Sequence, residues 1–203
     1  MFIEYLNSLD QQITLFINSL HTVPTDYIMQ FFSMIKIWFP MYLIIVGIMF
    51  WKLGWKRGII ALTTLVVMVV FCDQFANLIK NSVCRLRPMK DAYMLEHGLH
   101  VLEDGGGLYG FFSGHAANAF GFAVSSYMLL RQDRSRRWKG YAWWIFSWAT
   151  MVSISRIFVG KHFFGDVLVG AVVGSIIGYS LTRLAIYTME KVVHYIRHKY
   201  RKN

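Results

Sequence analysis

The chain has 203 residues, 56% of them hydrophobic and only 16% charged, and its mean hydropathy is +0.41. A soluble domain of this size carries about a quarter charged residues, so the composition points to one membrane-embedded helical domain over residues 1–203 and away from disorder or a low-complexity scaffold. The net charge of +10 would raise nucleic acid as a partner of a soluble protein; here most basic residues flank apolar segments, as topogenic charges do, and no nucleic acid is expected.

Residues 3–20 put Leu6, Leu9, Ile13, Phe16, Ile17 and Leu20 on one helical face and Glu4, Asn7, Ser8, Asp10, Gln11 and Asn18 on the other. That pattern predicts an amphipathic helix lying at a membrane interface. Its acids, and the lack of early Lys or Arg, do not fit a cleaved signal peptide. An apolar stretch follows from about Tyr27 to Trp51, interrupted by Lys36 and Pro40, and a cleaner one from Gly58 to Ile79. Residues 80–112 read as a polar loop, acidic near Asp91, Glu96, Glu103 and Asp104 and flexible at Gly105-Gly106-Gly107. Further spans are predicted over Ser113–Leu130, Tyr141–Val159 and Asp166–Tyr187. The fold class is therefore an all-α membrane bundle of about five spanning helices plus the N-terminal interfacial helix. Gly170, Gly174 and Gly178 form a stripe that permits close helix approach without any catalytic meaning. The seven Trp read as an interfacial belt plus core. Cys72 and Cys84 stand about 18 Å apart along one continuous helix, too far for a disulfide.

Charge sets the topology. Lys52, Lys56 and Arg57 occupy one connector, Arg131, Arg134, Arg136, Arg137 and Lys139 another, and residues 188–203 form a basic tail. The positive-inside rule makes all three cytoplasmic. The 80–112 loop and the 156–165 turn then share the opposite side, where their positive residues are unexpected.

Three clusters fall on that side: Lys80 with Arg87-Pro88, Ser113-Gly114-His115, and Ser155-Arg156 followed by His162 and Asp166. Taken singly, each has an ordinary explanation in a snorkelling cation, an N-cap or a polar pair at a helix end. Together they make chemistry. Lys80, Arg87 and Arg156 supply cations from separate elements, with the arginine fork matched to phosphate oxygens. Ser113 and Gly114 open a helix, whose free N–H groups favour an anion, and Gly114 admits it close to the backbone. His162 and Asp166, four apart, share one helical face, so Asp166 can hold one imidazole nitrogen and aim the other as a nucleophile. His115 is then free to protonate a leaving alkoxide.

These three motifs, in this order and spacing, resemble the signatures of the type-2 phosphatidic acid phosphatase family, which vanadium haloperoxidases share. The match covers residues 80–166. The resemblance implies metal-independent hydrolysis of a phosphate ester or diphosphate through a phosphohistidine. His162 would be the nucleophile, Asp166 its orienter and His115 the general acid, with Lys80, Arg87, Ser113, Gly114 and Arg156 binding phosphate. One departure is Phe112, where the family usually has proline; Ser113 can still cap the helix.

The expected enzyme is an integral-membrane lipid phosphatase, placed by its small size in a bacterial inner membrane with the site on the periplasmic face. Undecaprenyl diphosphate leads among substrates; Arg85 and Lys161 are two further cations that either read a second phosphate or meet lipid headgroups. A lipid A phosphate and phosphatidylglycerol phosphate are the alternatives. No cofactor, metal or protein partner is expected beyond the lipid substrate and surrounding lipids. A metal site from Glu96, His97, His100 and Glu103 fits no standard zinc spacing. Asp73, an intramembrane acid on the Lys80 face of its helix, reads as support for Lys80 or as bundle packing. A non-catalytic lipid binder or transporter is disfavoured because no internal repeat is visible.

Overall fold

The computed structural model describes residues 2–200, with side chains from 3 to 191. Eight α-helices follow one another: α1 Phe2–Asn18, α2 Val23–Ser33, α3 Phe39–Leu53, α4 Trp55–Val83, α5 Ala92–Glu96, α6 Gly114–Leu130, α7 Lys139–Phe158 and α8 Phe164–Tyr200. Helices α3, α4, α6, α7 and α8 pack into one bundle with α6 at its centre, touching the other four.

Among the described residues, three segments are long and apolar enough on their own to cross a membrane: Ile35–Leu53, Trp55–Val83 and Phe164–Lys191. The first begins later than Tyr27. Thr22 caps α2 in a reciprocal capping box with Thr25, and the helix stops at Met34, where the backbone turns extended before a short 3-10 turn leads into α3. Helix α6 needs less hydropathy because protein surrounds it: Ala116, Ala117, Ala119, Gly121, Ala123, Ser125 and Ser126 are all buried.

Small residues bring α6 and α8 together. A Cβ at Gly174 would stand 2.0 Å from the Ala117 carbonyl oxygen, and one at Gly170 would stand 2.5 Å from that of Ser113. No side chain fits in that contact, so the two backbones set the spacing. The site motifs sit at the ends of these two helices, and the contact therefore fixes one motif against another.

At the other end of the bundle, Lys52 and Asp133 pair at 3.9 Å, joining the two basic connectors. Trp51, Trp55, Trp143 and Trp144 are exposed there, as an interfacial belt would be, whereas Trp38 and Trp148 pack edge to face in the core at 5.6 Å. Both cysteines are free. Side chains of the basic tail beyond Lys191 lie outside the described residues.

Helix α1 is amphipathic as predicted, but one edge of its polar face is turned to protein: Glu4 and Asn7 are exposed, Asp10 is half-buried. Thr14 and Asn18 are buried, while Ile3, Leu6, Leu9 and Phe16 are exposed. The polar edge packs on the α7–α8 turn instead.

Candidate active site

Helix α4 delivers Lys80 and ends at Cys84, whose left-handed backbone donates its N–H to the Lys80 carbonyl. The chain then runs extended. Arg87 N–H donates to Leu108 O at 3.1 Å and Gly110 N–H to Arg85 O at 2.8 Å. Residues two apart on such a strip face one side, so Arg85 and Arg87 both reach towards Asp166.

Ser113, fully buried, caps α6 by accepting from Ala116 N–H at 3.4 Å. Its own N–H donates to the Asp166 carbonyl at 3.0 Å, tying the second motif to the third. Phe112 is buried against Phe75, so the cap forms without the family's proline. A Cβ on Gly114 would come within 3.8 Å of Lys80 Nζ and of Asp73 Oδ1; the ammonium thus lies beside the open first turn of α6. Asp73 Oδ1 accepts from Asn118 Nδ2 at 2.7 Å.

Helix α7 carries Arg156 and closes in a turn through Gly160, whose φ of +79 suits glycine. The N–H groups of Lys161 and His162 both donate to the Arg156 carbonyl. His162 lies in this turn, two residues before α8 begins, so it does not share a helical face with Asp166 as the i, i+4 spacing predicts; Asp166 sits in the first turn of α8 and faces it across the turn. Nδ1 of His162 and Oδ2 of Asp166 are 3.6 Å apart, longer than a hydrogen bond and within the range that tightens when substrate binds. The Asp166 side chain is completely enclosed and that of His162 is 2% exposed.

Burial, then the cations of Arg156, Arg87 and Lys80, hold the His162 imidazole well below its ordinary pKa of 6.5, against a hydrogen bond to the Gly110 backbone. A neutral imidazole is what a nucleophile requires. His115 on α6 feels the same three cations and His162. The predicted set Lys80, Arg87, Ser113, Gly114, His115, Arg156, His162 and Asp166 is therefore gathered at one end of the bundle. Burial also lowers the pKa of Arg87 and, in the turn, of Lys161.

Arg85 and Lys161 face elsewhere than expected. The Arg85 guanidinium bridges two carboxylates, donating to Asp166 Oδ1 at 2.8 Å and to Asp10 Oδ2 at 2.7 Å. It also lies over the Phe163 ring at 3.9 Å. Lys161 donates to the carbonyls of Asp104 and Gly105 at 2.9 and 2.6 Å, which anchors the glycine run beside Arg87.

Sequence reasoning missed two supports. Arg156 donates to the Ser33 hydroxyl, which donates in turn to Glu103, and the Glu103 carboxylate stands 3.5 Å from the guanidinium. The second support is α1, whose Asp10, Thr14 and Asn18 recur every four residues, the one signal that could have exposed a docking edge.

Among the described residues, Glu96, His97, His100 and Glu103 do not converge on a metal site. Glu103 serves Arg156, and His97 stacks on Tyr93. His100 instead meets Asp26 at 3.0 Å and stacks on His21, forming a three-ligand cluster that includes neither His115 nor His162.

An all-helical membrane bundle that gathers three cations, a capped helix N-terminus and two histidines at one end defines a membrane phosphohydrolase. The match to the PAP2 superfamily covers residues 59–190, and the chain belongs to that family. It is 34% identical over 179 residues to a lipid A 4'-phosphatase of Bacteroides thetaiotaomicron, covering 87% of this chain and 77% of that protein. A lipid A 4'-phosphatase of Porphyromonas gingivalis is 26% identical over 189 residues, 93% of this chain and 78% of the other. Two crystal structures share the fold. The Bacillus subtilis transmembrane PAP2-type phosphatidylglycerolphosphate phosphatase has a TM-score of 0.69 at 19% identity, covering 89% and 86% of the two chains. Aquifex aeolicus LpxE has a TM-score of 0.60 at 20% identity, covering 85% and 93%.

Proposed function

We propose that this protein removes a phosphate monoester from a lipid A-type glycolipid on the periplasmic face of a bacterial inner membrane. The observation that carries the reading is the 34% identity to a lipid A 4'-phosphatase over most of both chains. The site supports it. Arg85 and Lys161, the cations a diphosphate would use for its second phosphate, are both engaged by the protein's own oxygens.

In this mechanism Lys80, Arg87, Arg156 and the α6 N-terminus surround the three non-bridging oxygens. His162, held through Nδ1 by Asp166, attacks phosphorus with Nε2. The phosphorus–oxygen bond to the sugar breaks as His115 gives its proton to the departing alkoxide. His115 then takes a proton from water, whose oxygen attacks the phosphohistidine and releases inorganic phosphate and free His162. Three cations and a helix terminus supply the positive charge, so activity persists in chelator and vanadate inhibits.

The test is phosphate release by the purified protein in detergent from lipid A, undecaprenyl diphosphate and phosphatidylglycerol phosphate. Mass spectrometry of the lipid A product assigns the position cleaved. The reading holds if lipid A gives the highest kcat/KM; preference for undecaprenyl diphosphate overturns it. Orientation is read separately, from a cysteine at Gly106 that reacts with an impermeant thiol reagent in intact spheroplasts and one at Ser135 that reacts only after permeabilisation, both in a chain lacking Cys72 and Cys84.

A further inference from the structure

Asp166 has two oxygens and both are committed. Oδ1 accepts from Arg85 at 2.8 Å; Oδ2 accepts from Phe163 N–H at 3.1 Å and faces His162. The far side of the Arg85 guanidinium is held by Asp10 Oδ2 at 2.7 Å and Asn7 Oδ1 at 3.2 Å. The other oxygen of Asp10 accepts from Gly165 N–H at 2.7 Å, the residue before Asp166. A closed ring results, running Asp10, Arg85, Asp166 side chain, Asp166 and Gly165 backbone, and back to Asp10.

We propose that Asp10 is a positioning residue for phosphoryl transfer, setting both the place and the effective charge of Asp166 behind His162. This rests on the reading of His162 as nucleophile. Geometrically, Asp10 pins the α8 N-terminus through Gly165, while Thr14 beside it accepts from Phe164 N–H at 3.0 Å. Electrostatically, a guanidinium facing Asp166 alone would cancel its charge. Shared between two carboxylates, it leaves one net negative charge behind the imidazole. That charge opposes every other charged group facing His162: Lys80 from α4, Arg87 from the extended strip and Arg156 from α7, with His115 from α6 as the remaining titratable neighbour. Glu103 reaches this group only through Arg156.

Asp10→Asn separates charge from scaffold, since its amide oxygen can still accept from Gly165. Hydrolysis of lipid A in detergent and of p-nitrophenyl phosphate is measured for wild type, Asp10→Asn, Arg85→Ala, the double variant and His162→Ala. Asp10→Asn is expected to lower kcat about ten- to a hundredfold on both substrates, with KM and thermal midpoint close to wild type. The acid limb of its rate profile shifts to lower pH, because an uncompensated Arg85 makes His162 harder to protonate. The losses from Asp10→Asn and Arg85→Ala are less than additive in the double variant. Wild-type kcat in Asp10→Asn, a change confined to KM, or a loss matched by the fraction of unfolded protein would each overturn the proposal. An active His162→Ala would overturn instead the nucleophile assignment on which it rests.

Discussion

On the α1 side of His162 the protein's own atoms pair off: Asp10 with Arg85 and Gly165, Thr14 with Phe164, Arg85 with Asp166. On the opposite side Lys80, Arg87 and Arg156 crowd together, and the Nε atoms of both arginines are buried without a hydrogen-bond partner among the described residues. Asn18 extends the contrast on the first side, donating to the carbonyls of Ile157 and Phe158 that end α7 and to that of His100. The two sides show two ways of preparing a reaction. One braces the turn and the aspartate behind the nucleophile with paired atoms, although His162 Nδ1 itself stands 3.6 Å from Asp166 and has no hydrogen-bond partner among the described residues; the other holds cations against their own repulsion, so that an anion gains what the protein has left unpaired.

The largest expected effect removes the group between the two sides: His162→Ala should abolish turnover, measured as phosphate release from lipid A. His115→Ala leaves both sides standing but deprives the leaving alkoxide of its proton, and kcat should fall about 10²- to 10⁴-fold. Gly174→Ala attacks what holds the sides in register. Its Cβ has no room beside Ala117 O, so the thermal midpoint should drop by an amount equivalent to about 1–3 kcal/mol, with kcat falling as α6 and α8 separate. Asn18→Ala loosens the satisfied side alone and should cost about 1–3 kcal/mol in stability, because the Phe158 carbonyl loses its Asn18 donor and the His100 N–H its acceptor, read from denaturation in detergent.

The smallest effect is a pH dependence that reports the balance between the sides. Because His162 is held below 6.5, its reactive neutral form persists into mild acid and the acid limb of kcat/KM should lie below pH 6.5. Stability follows the same sign. Below 6.5 the unfolded imidazole takes up a proton that the folded one refuses, so stability should fall as the pH drops through that range.

The cation side was readable from the sequence because each of its residues sits in a motif whose spacing carries chemical meaning, and the spans were readable from apolar runs. The satisfied side was largely hidden. The pattern of α1 separates an apolar face from a polar one, but at a membrane surface it does not say whether protein or water meets the polar face; here protein meets Asp10, Thr14 and Asn18. Arg85 was open in the sequence because a cation near a phosphate site has more than one kind of anionic partner, and only the fold shows Asp10 and Asp166 already in place. The start of the first span was not fixed by the sequence because Tyr27–Ser33 is apolar enough to continue it; the chain breaks at Met34 and the span starts at Ile35.

The hydrogen bond from Gly165 to Asp10 joins residues 155 apart, which bears on how the protein is made. At roughly 5–20 residues per second, the ribosome delivers Gly165 some 8–30 s after Asp10. During that interval the first helix has reached the bilayer, but the turn it must brace does not yet exist. The nucleophile therefore acquires its support only when the last-made helix has entered and the first-made one folds back upon it. Nascent chains halted before α8 carry the first two motifs and Arg156 and His162 of the third but lack Asp166, so hydrolysis is expected only once α8 has been made.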